Sequence, residues 1–244
     1  MKEVIQQFLN QKDLAGNSRQ AYQYDLEQFL LQVEEINEQK LRLYQTWLAS
    51  LKVSVQRRKL SAVNQFLAYL YQEKVLSDFH RLSSPKISLT KKEELELLDL
   101  ADFWHESPYQ AGRLIALLIV ETGLLPSEIL RLKLVDISLD FQILSVEKAG
   151  QKRILSLSQE LLAELAPWLA EQDTYIFERK GSPYSRQWCF RQLSLFLEDK
   201  GYPQLSAQSL REQYILRQRQ KGVELTQLAR DLGLKTSITL EKYK

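Results

Sequence analysis

In the first eighty residues, apolar side chains recur every three to four positions. Val4, Ile5, Phe8 and Leu9 open the pattern, and Tyr22, Leu26, Phe29, Leu30 and Val33 repeat it. That spacing puts each set on one face of a helix. Asn17 or Ser18 is placed to cap the second helix. A third helix is expected around 41–51. A fourth is expected over 54–71, with Val63, Phe66, Leu67 and Leu70 on one face. Four short amphipathic helices can close on a shared core as a small bundle.

The pattern then lapses. Residues 77–90 hold Ser83-Ser84-Pro85 and few large apolar side chains. Proline disfavours helix at the residue before it, so this stretch reads as an interdomain linker. The expected division is therefore 1–76, a linker over 77–90, and 91–244. Beyond the linker, helices are expected over 91–100 and 109–122, the second ended by Thr122-Gly123. Pro126-Ser127-Glu128 starts a short helix, with proline in the first turn, where its missing N–H costs least. Two β-rich runs follow at 141–146 and 153–158, joined through Glu147-Lys148-Ala149-Gly150-Gln151-Lys152. That is a hairpin with a glycine-bearing turn. Helices are expected over 159–170, 185–200, 206–220, 224–232 and 235–243, and Tyr175-Ile176-Phe177 could add a strand to the hairpin. The fold class is mainly α: a small helical bundle, then an α+β domain with a small β-hairpin sheet.

Composition narrows the function classes. Hydrophobic residues make up 44% of the 244 and charged residues 26%, which fits a soluble globular chain. The single cysteine, Cys189, excludes an internal disulfide framework and fits a reducing compartment. The longest apolar run, 114–120, is too short to span a bilayer. Met1-Lys2-Glu3 opens no apolar targeting segment, so a cytoplasmic location is expected. Net charge is only +2 and by itself announces no nucleic acid. Its distribution is uneven. Between Glu93 and Asp140 ten acids stand against three bases, and between Arg179 and Lys221 nine bases stand against three acids. The basic stretch can track phosphates, although a solvated helix face has the same signature.

The chemistry sits near the C-terminus. Ser206-Ala207-Gln208-Ser209-Leu210-Arg211 is followed by Leu232-Gly233-Leu234 and then by Tyr243. Upstream stand Thr122-Gly123-Leu124-Leu125-Pro126-Ser127-Glu128-Ile129 and the turn Lys148-Ala149-Gly150. Together these resemble the active-site boxes of the tyrosine recombinases, the phage-integrase family, in its Xer-like branch. Ser18-Arg19-Gln20-Ala21-Tyr22-Gln23-Tyr24 and Arg57-Arg58-Lys59-Leu60-Ser61 are similar to helices of that family's core-binding domain.

The resemblance implies an enzyme in which a tyrosine attacks a phosphodiester, leaving a 3′-phosphotyrosyl link and a free 5′-hydroxyl. Arginines would hold the phosphate oxygens, and a lysine would protonate the leaving oxygen. No cofactor or metal is implied. It assigns Tyr243 as nucleophile, Arg211 as a phosphate-binding arginine, and Lys148 as general acid, with Lys152 as the alternative. It places DNA contacts at Arg19, Arg57, Arg58, Lys59, Lys86, Lys152 and Arg153, with double-stranded DNA, itself or a second recombinase as partners. Glu128 fits the acid that buttresses the arginines.

The chain departs from the family at three positions: Leu125 stands for an arginine, Gln208 for a histidine, and Leu234 for a His or Trp donor. Glu212 occupies another position where the family usually has histidine, and could repel DNA or pair with Arg211. One lost oxyanion-type contact costs ~10²–10³ in rate, and lost acid–base help ~10²–10⁴. Strand cleavage is therefore expected to be slowed or lost. The alternatives are a non-catalytic architectural or regulatory DNA-binding protein, or a protein-interaction module. One residue follows Tyr243 where relatives continue into a docking segment, so the resemblance does not by itself carry cyclic assembly over to this chain.

Overall fold

The apolar stripes of the first eighty residues close on one another. Helices α1 (Lys2–Asn10), α2 (Gly16–Val33), α3 (Glu38–Ala49) and α4 (Val53–Gln72) bury Phe8, Leu26, Phe29, Leu48, Val63, Phe66, Leu67 and Leu70 in a common core. Phe8 meets Phe66 edge-on at 5.5 Å, and Phe29 meets Tyr44 at 5.0 Å, both within the favourable range for aromatic pairs. The Asn37 side chain caps α3 by accepting from Lys40 N at 2.9 Å. Helix α2 starts ahead of the expected caps. Ala15 occupies the N-cap without a side-chain bond, so Asn17 and Ser18 lie within the first turn. After α4 the chain folds back. Asn64 donates to Leu82 O at 2.9 Å and accepts from Leu82 N at 2.8 Å, and this seats the buried Leu82.

The computed structural model describes residues 2–85, 96–148 and 150–243, and the chain divides into two compact units, Met1–Glu93 and Glu94–Lys244. Part of the expected linker (86–90, with Lys86) and half of the expected 91–100 helix lie outside the described residues. The other half, 96–100, is not helical. Its backbone bonds to a side chain from far along the chain: Leu98 N donates to Gln213 Oε1 at 2.7 Å, and Gln213 Nε2 donates to Glu96 O at 3.0 Å. A buried amide thus occupies backbone groups that a helix would have used internally.

The second unit is built around α5 (Gln110–Thr122), which is apolar nearly all round and buried along its length. Helix α8 (Arg186–Asp199) packs so closely on it that a Cβ at Gly112 would run into the backbone of Gln192. Helices α7 (Gln159–Leu169) and α9 (Ala207–Gln220) complete the shell, with the short α6 (Pro126–Ile129) and α10 (Leu225–Asp231) near the Gly123 end of α5.

Strands β1 (Ile137–Ser138), β2 (Ile143–Lys148) and β3 (Gln151–Ser156) form an antiparallel sheet in that order. The hairpin is tighter than expected: Glu147 pairs with Lys152 and Lys148 with Gln151. Tyr175-Ile176-Phe177 does not join the hairpin, because β1 already occupies the outer edge of β2. It bridges instead to the segment before β1, with Ile176 N on Leu132 O at 3.0 Å and Leu134 N on Thr174 O at 2.9 Å. A separate two-stranded ribbon pairs β4 (Glu178–Arg179) with β5 (Ser182–Pro183). The last residues, Ile238–Tyr243, form a 3-10 turn rather than an α-helix.

Candidate active site

The end of α5 organises the site. Gly123 terminates the helix in a left-handed conformation, φ 68°, which glycine adopts without steric cost. Tyr214 and Leu232 press against its Cα, and a Cβ there would lie 2.5 and 2.6 Å from their side chains. The Gly123 carbonyl is left to an arginine: Arg211, from the first turns of α9, donates its Nε to Gly123 O at 2.8 Å. The Nη2 of Arg211 donates to Leu232 O at 3.1 Å. One guanidinium therefore joins three boxes that lie far apart in sequence. Burial lowers the pKa of Arg211, opposed by the nearby Glu128 carboxylate and reinforced by the positive charge of Arg153.

Glu128 turns back over the start of its own short helix, and its Oε2 accepts from Leu125 N at 2.9 Å. The same oxygen pairs with Arg153 Nη2, also at 2.9 Å, and both side chains are nearly enclosed. Arg153 comes from β3, where it shares a face with the buried Leu155, while Ile154 points outward and is exposed. Its Nη1 lies against Gly233, 2.7 Å from where a Cβ would stand. Gly233 has φ 62°, so this approach uses both the absence of a side chain and the left-handed turn.

Tyr243 lies in the small apolar cluster of Tyr214, Ile215, Leu228, Ala229, Leu232 and Leu240. Its hydroxyl donates to Glu212 Oε1 at 3.1 Å, which also accepts from Lys242 Nζ at 2.8 Å and Gln208 Nε2 at 3.4 Å. Burial raises the Glu212 pKa, but these donors outweigh it and hold the carboxyl below the usual carboxylate range. Burial pushes the Tyr243 phenol up, partly offset by Lys242. The Tyr243 carbonyl accepts from Arg219 Nε at 3.3 Å, so this tyrosine is held at both its hydroxyl and its backbone.

Beside this cluster, Gln151, Lys152, Arg153, Arg230, Gly233, Leu234 and Lys235 line a cleft of about 600 Å³. Four of the seven are cations and none is an acid. Such a cleft favours an anion.

The structure thus brings Arg211, Tyr243, Glu128, Arg153, Gln208 and Leu125 to one end of α5. Leu234 packs on the Tyr243 cluster and offers no hydrogen-bond donor from its side chain. Lys148 is the last residue of β2; its side chain, like Lys86, lies outside the described residues. Lys152 is exposed on β3.

In the first unit Arg57 and Arg58 are exposed. Arg19 bonds Leu9 O at 2.9 Å and Asn10 Oδ1 at 2.5 Å, tying α2 to the end of α1. Lys59 corrects the expectation of a DNA contact. It is buried, bonded to Asp25 at 2.8 Å and Gln28 at 2.5 Å. It stands one turn before Val63 and two before Phe66, on the buried stripe of α4.

Two features escaped the sequence reading. Glu212 pairs with Tyr243 and Lys242 rather than with Arg211, which uses carbonyls instead. Arg153 is the partner of Glu128, and the signal was present: an arginine two residues before Leu155 falls in the inward register of its strand.

Comparisons with known proteins show the family. Residues 88–244 match the phage integrase family, and residues 5–74 match the phage integrase N-terminal SAM-like domain. The chain belongs to the phage integrase family, the tyrosine recombinases. It is 61% identical over 244 residues to a "Tyrosine recombinase XerD-like" of Streptococcus gordonii, and 57% identical over 245 residues to that of Streptococcus sanguinis. Each of these matches covers 100% of both chains. Among solved structures, its fold is similar to a lambda integrase tetramer bound to a Holliday junction. That match has a TM-score of 0.73 and 16% identity, covering 99% of this chain and 76% of that one. It is also similar to XerH recombinase in a post-cleavage complex with a palindromic difH substrate, with a TM-score of 0.69 and 19% identity, covering 92% and 75%.

Proposed function

We propose that this chain is a XerD-like recombinase-type protein that binds duplex DNA and cleaves it slowly or not at all. In this reading residues 1–76 are the core-binding domain, 77–90 the linker and 91–244 the catalytic-type domain. The protein works in the cytoplasm, with itself or a second recombinase as partner. Support comes from the family membership and from the DNA-bound states in which the fold neighbours were solved. The observation that carries it is the shared seat of Arg211 and Tyr243 at the end of α5, beside a cleft lined by cations.

Any cleavage would run as follows. The Tyr243 oxygen attacks phosphorus, a P–O bond to tyrosine forms, and the P–O5′ bond breaks. The phenol proton passes to Glu212 Oε1, its hydrogen-bond acceptor. The leaving 5′ oxygen takes a proton from Lys148, or from Lys152. Arg211 holds a non-bridging oxygen, and no metal takes part. Three features slow the reaction. Leu125 and Leu234 donate nothing from their side chains, Gln208 can donate but cannot shuttle a proton, and burial raises the pKa of the Tyr243 phenol.

A second reading, a DNA-binding architectural protein without cleavage, is favoured by one observation: the Tyr243 phenol is buried and held by a carboxylate. The test uses nicked duplex suicide substrates from the source genome, with Tyr243→Phe as control. A denaturant-resistant protein–DNA band that is absent from the control supports cleavage. Salt-sensitive binding without a band supports the architectural reading, and no binding at low salt refutes both.

A further inference from the structure

We infer that Arg153 supplies the second phosphate-binding guanidinium of this site, in place of the arginine that relatives carry where Leu125 stands. This rests on reading the cluster around Arg211 as a phosphodiester site. Three observations on the structure lead to it.

The first is position. Leu125 contributes its backbone N–H to Glu128 Oε2, and Arg153 Nη2 reaches that same oxygen. The guanidinium of β3 is thus delivered to the carboxylate that also caps Leu125 itself. The hydrocarbon side chain of Leu125 carries no donor that could compete for that carboxylate. The second is access. Arg153 lines the cleft that also presents Lys152, Arg230 and Lys235, so this mostly enclosed side chain borders a cationic opening. The third is an unused donor. Arg153 Nε is buried and finds no hydrogen-bond acceptor among the described residues. A buried donor without an acceptor is unfavourable, and a phosphate oxygen that displaced the groups covering it would satisfy it.

Arginine suits this task because its planar fork can bind a carboxylate and a phosphate oxygen together. With one edge on Glu128, the group is already oriented when the phosphate arrives. Gly233 belongs to the same device, because only a residue without a Cβ lets Nη1 lie against the turn after α10. Arg153 and Arg211 would then approach one phosphate from β3 and α9. The developing negative charge would meet two guanidinium groups even though the first box supplies none.

The test measures binding of a dye-labelled duplex oligonucleotide to the full chain by fluorescence anisotropy across a salt series. Arg153→Gln should weaken binding about tenfold and reduce the slope of log affinity against log salt by about one, the signature of one lost phosphate contact. The double variant Leu125→Arg/Arg153→Gln should restore both affinity and slope, because it returns a guanidinium to Glu128 from the other side. A purely structural ion pair would lower stability without moving the slope. If Arg153→Gln does not fold, the double variant decides alone: it must fold and bind with the wild-type slope. An unchanged slope in Arg153→Gln, or a double variant that folds and shows no recovery, overturns the inference. Wild-type protein that fails to bind duplex at low salt overturns the underlying site reading as well.

Discussion

Lys59 offers a sharp test, because its sequence context and its structural setting give opposite answers. Its ammonium lies in the first unit against Asp25, which is fully enclosed, and Gln28. It also lies 5.8 Å from the centre of the Trp47 ring. Lys59→Met keeps the length and apolar stem of the side chain and removes only the charge and its hydrogen bonds. Removing one member of a buried pair typically costs about 3–5 kcal/mol, because the other charge is left uncompensated. Here Arg58 still reaches Asp25 at 2.7 Å from a half-exposed position, so the lower end, about 3 kcal/mol, applies. Urea unfolding followed through Trp47 fluorescence should shift its midpoint down by at least about 1 M, given slopes of roughly 1–3 kcal/mol/M. The salt dependence of duplex binding should keep its slope at urea-free conditions. A stable variant with a slope reduced by about one would show that Lys59 contacts phosphate, and the burial argument would be wrong.

Other expectations follow from the same geometry. Gly112→Ala should gain about 1 kcal/mol of helix propensity. It should lose more to overpacking against Gln192, roughly 1–3 kcal/mol, so a thermal melt of the variant above wild type would refute the close contact of α5 and α8. Gly233→Ala forces a side chain into φ 62° and displaces Arg153; duplex binding should weaken in parallel with Arg153→Gln, and intact binding would contradict that packing. Glu212 has a lowered carboxyl pKa in the fold. Its stabilising contribution is therefore present above the ordinary carboxylate range and lost as pH falls through the lowered value. Hydrogen exchange over Ile238–Tyr243 should be protected at neutral pH and released in acid, whereas Glu212→Gln should show weaker protection and little pH response. An unaltered pH response in that variant would remove Glu212 as the anchor.

The helices were legible in the sequence because their information is local. Stripes such as Val63, Phe66, Leu67 and Leu70 report their own helix whatever they pack against. The hairpin was legible for the same reason, although its register was not: Glu147 and Lys152 join the ladder, which a turn-rich composition conceals. The failures are long-range. The segment 96–100 stays out of a helix because of Gln213, more than a hundred residues away. Lys59 turns inward because Asp25 waits 34 positions earlier. Arg211, Tyr243 and the substituted positions were found through resemblance. The bonding of Glu212 was not, since two of its partners, Lys242 and Tyr243, arrive from the 3-10 turn about thirty residues later.

The two carbonyls that hold Arg211 have a consequence for any experiment that removes it. Gly123 O ends α5 and Leu232 O ends α10, so this guanidinium is a tie-bar between two helices as well as a charge facing the site. Cutting it unseats the turn that carries Gly233 and, with it, the floor under Tyr243. An Arg211→Ala variant without activity would report a loosened frame and a missing charge in one signal. A variant at Arg153 leaves both carbonyl bonds of Arg211 in place and so changes the charge beside that guanidinium without cutting this tie.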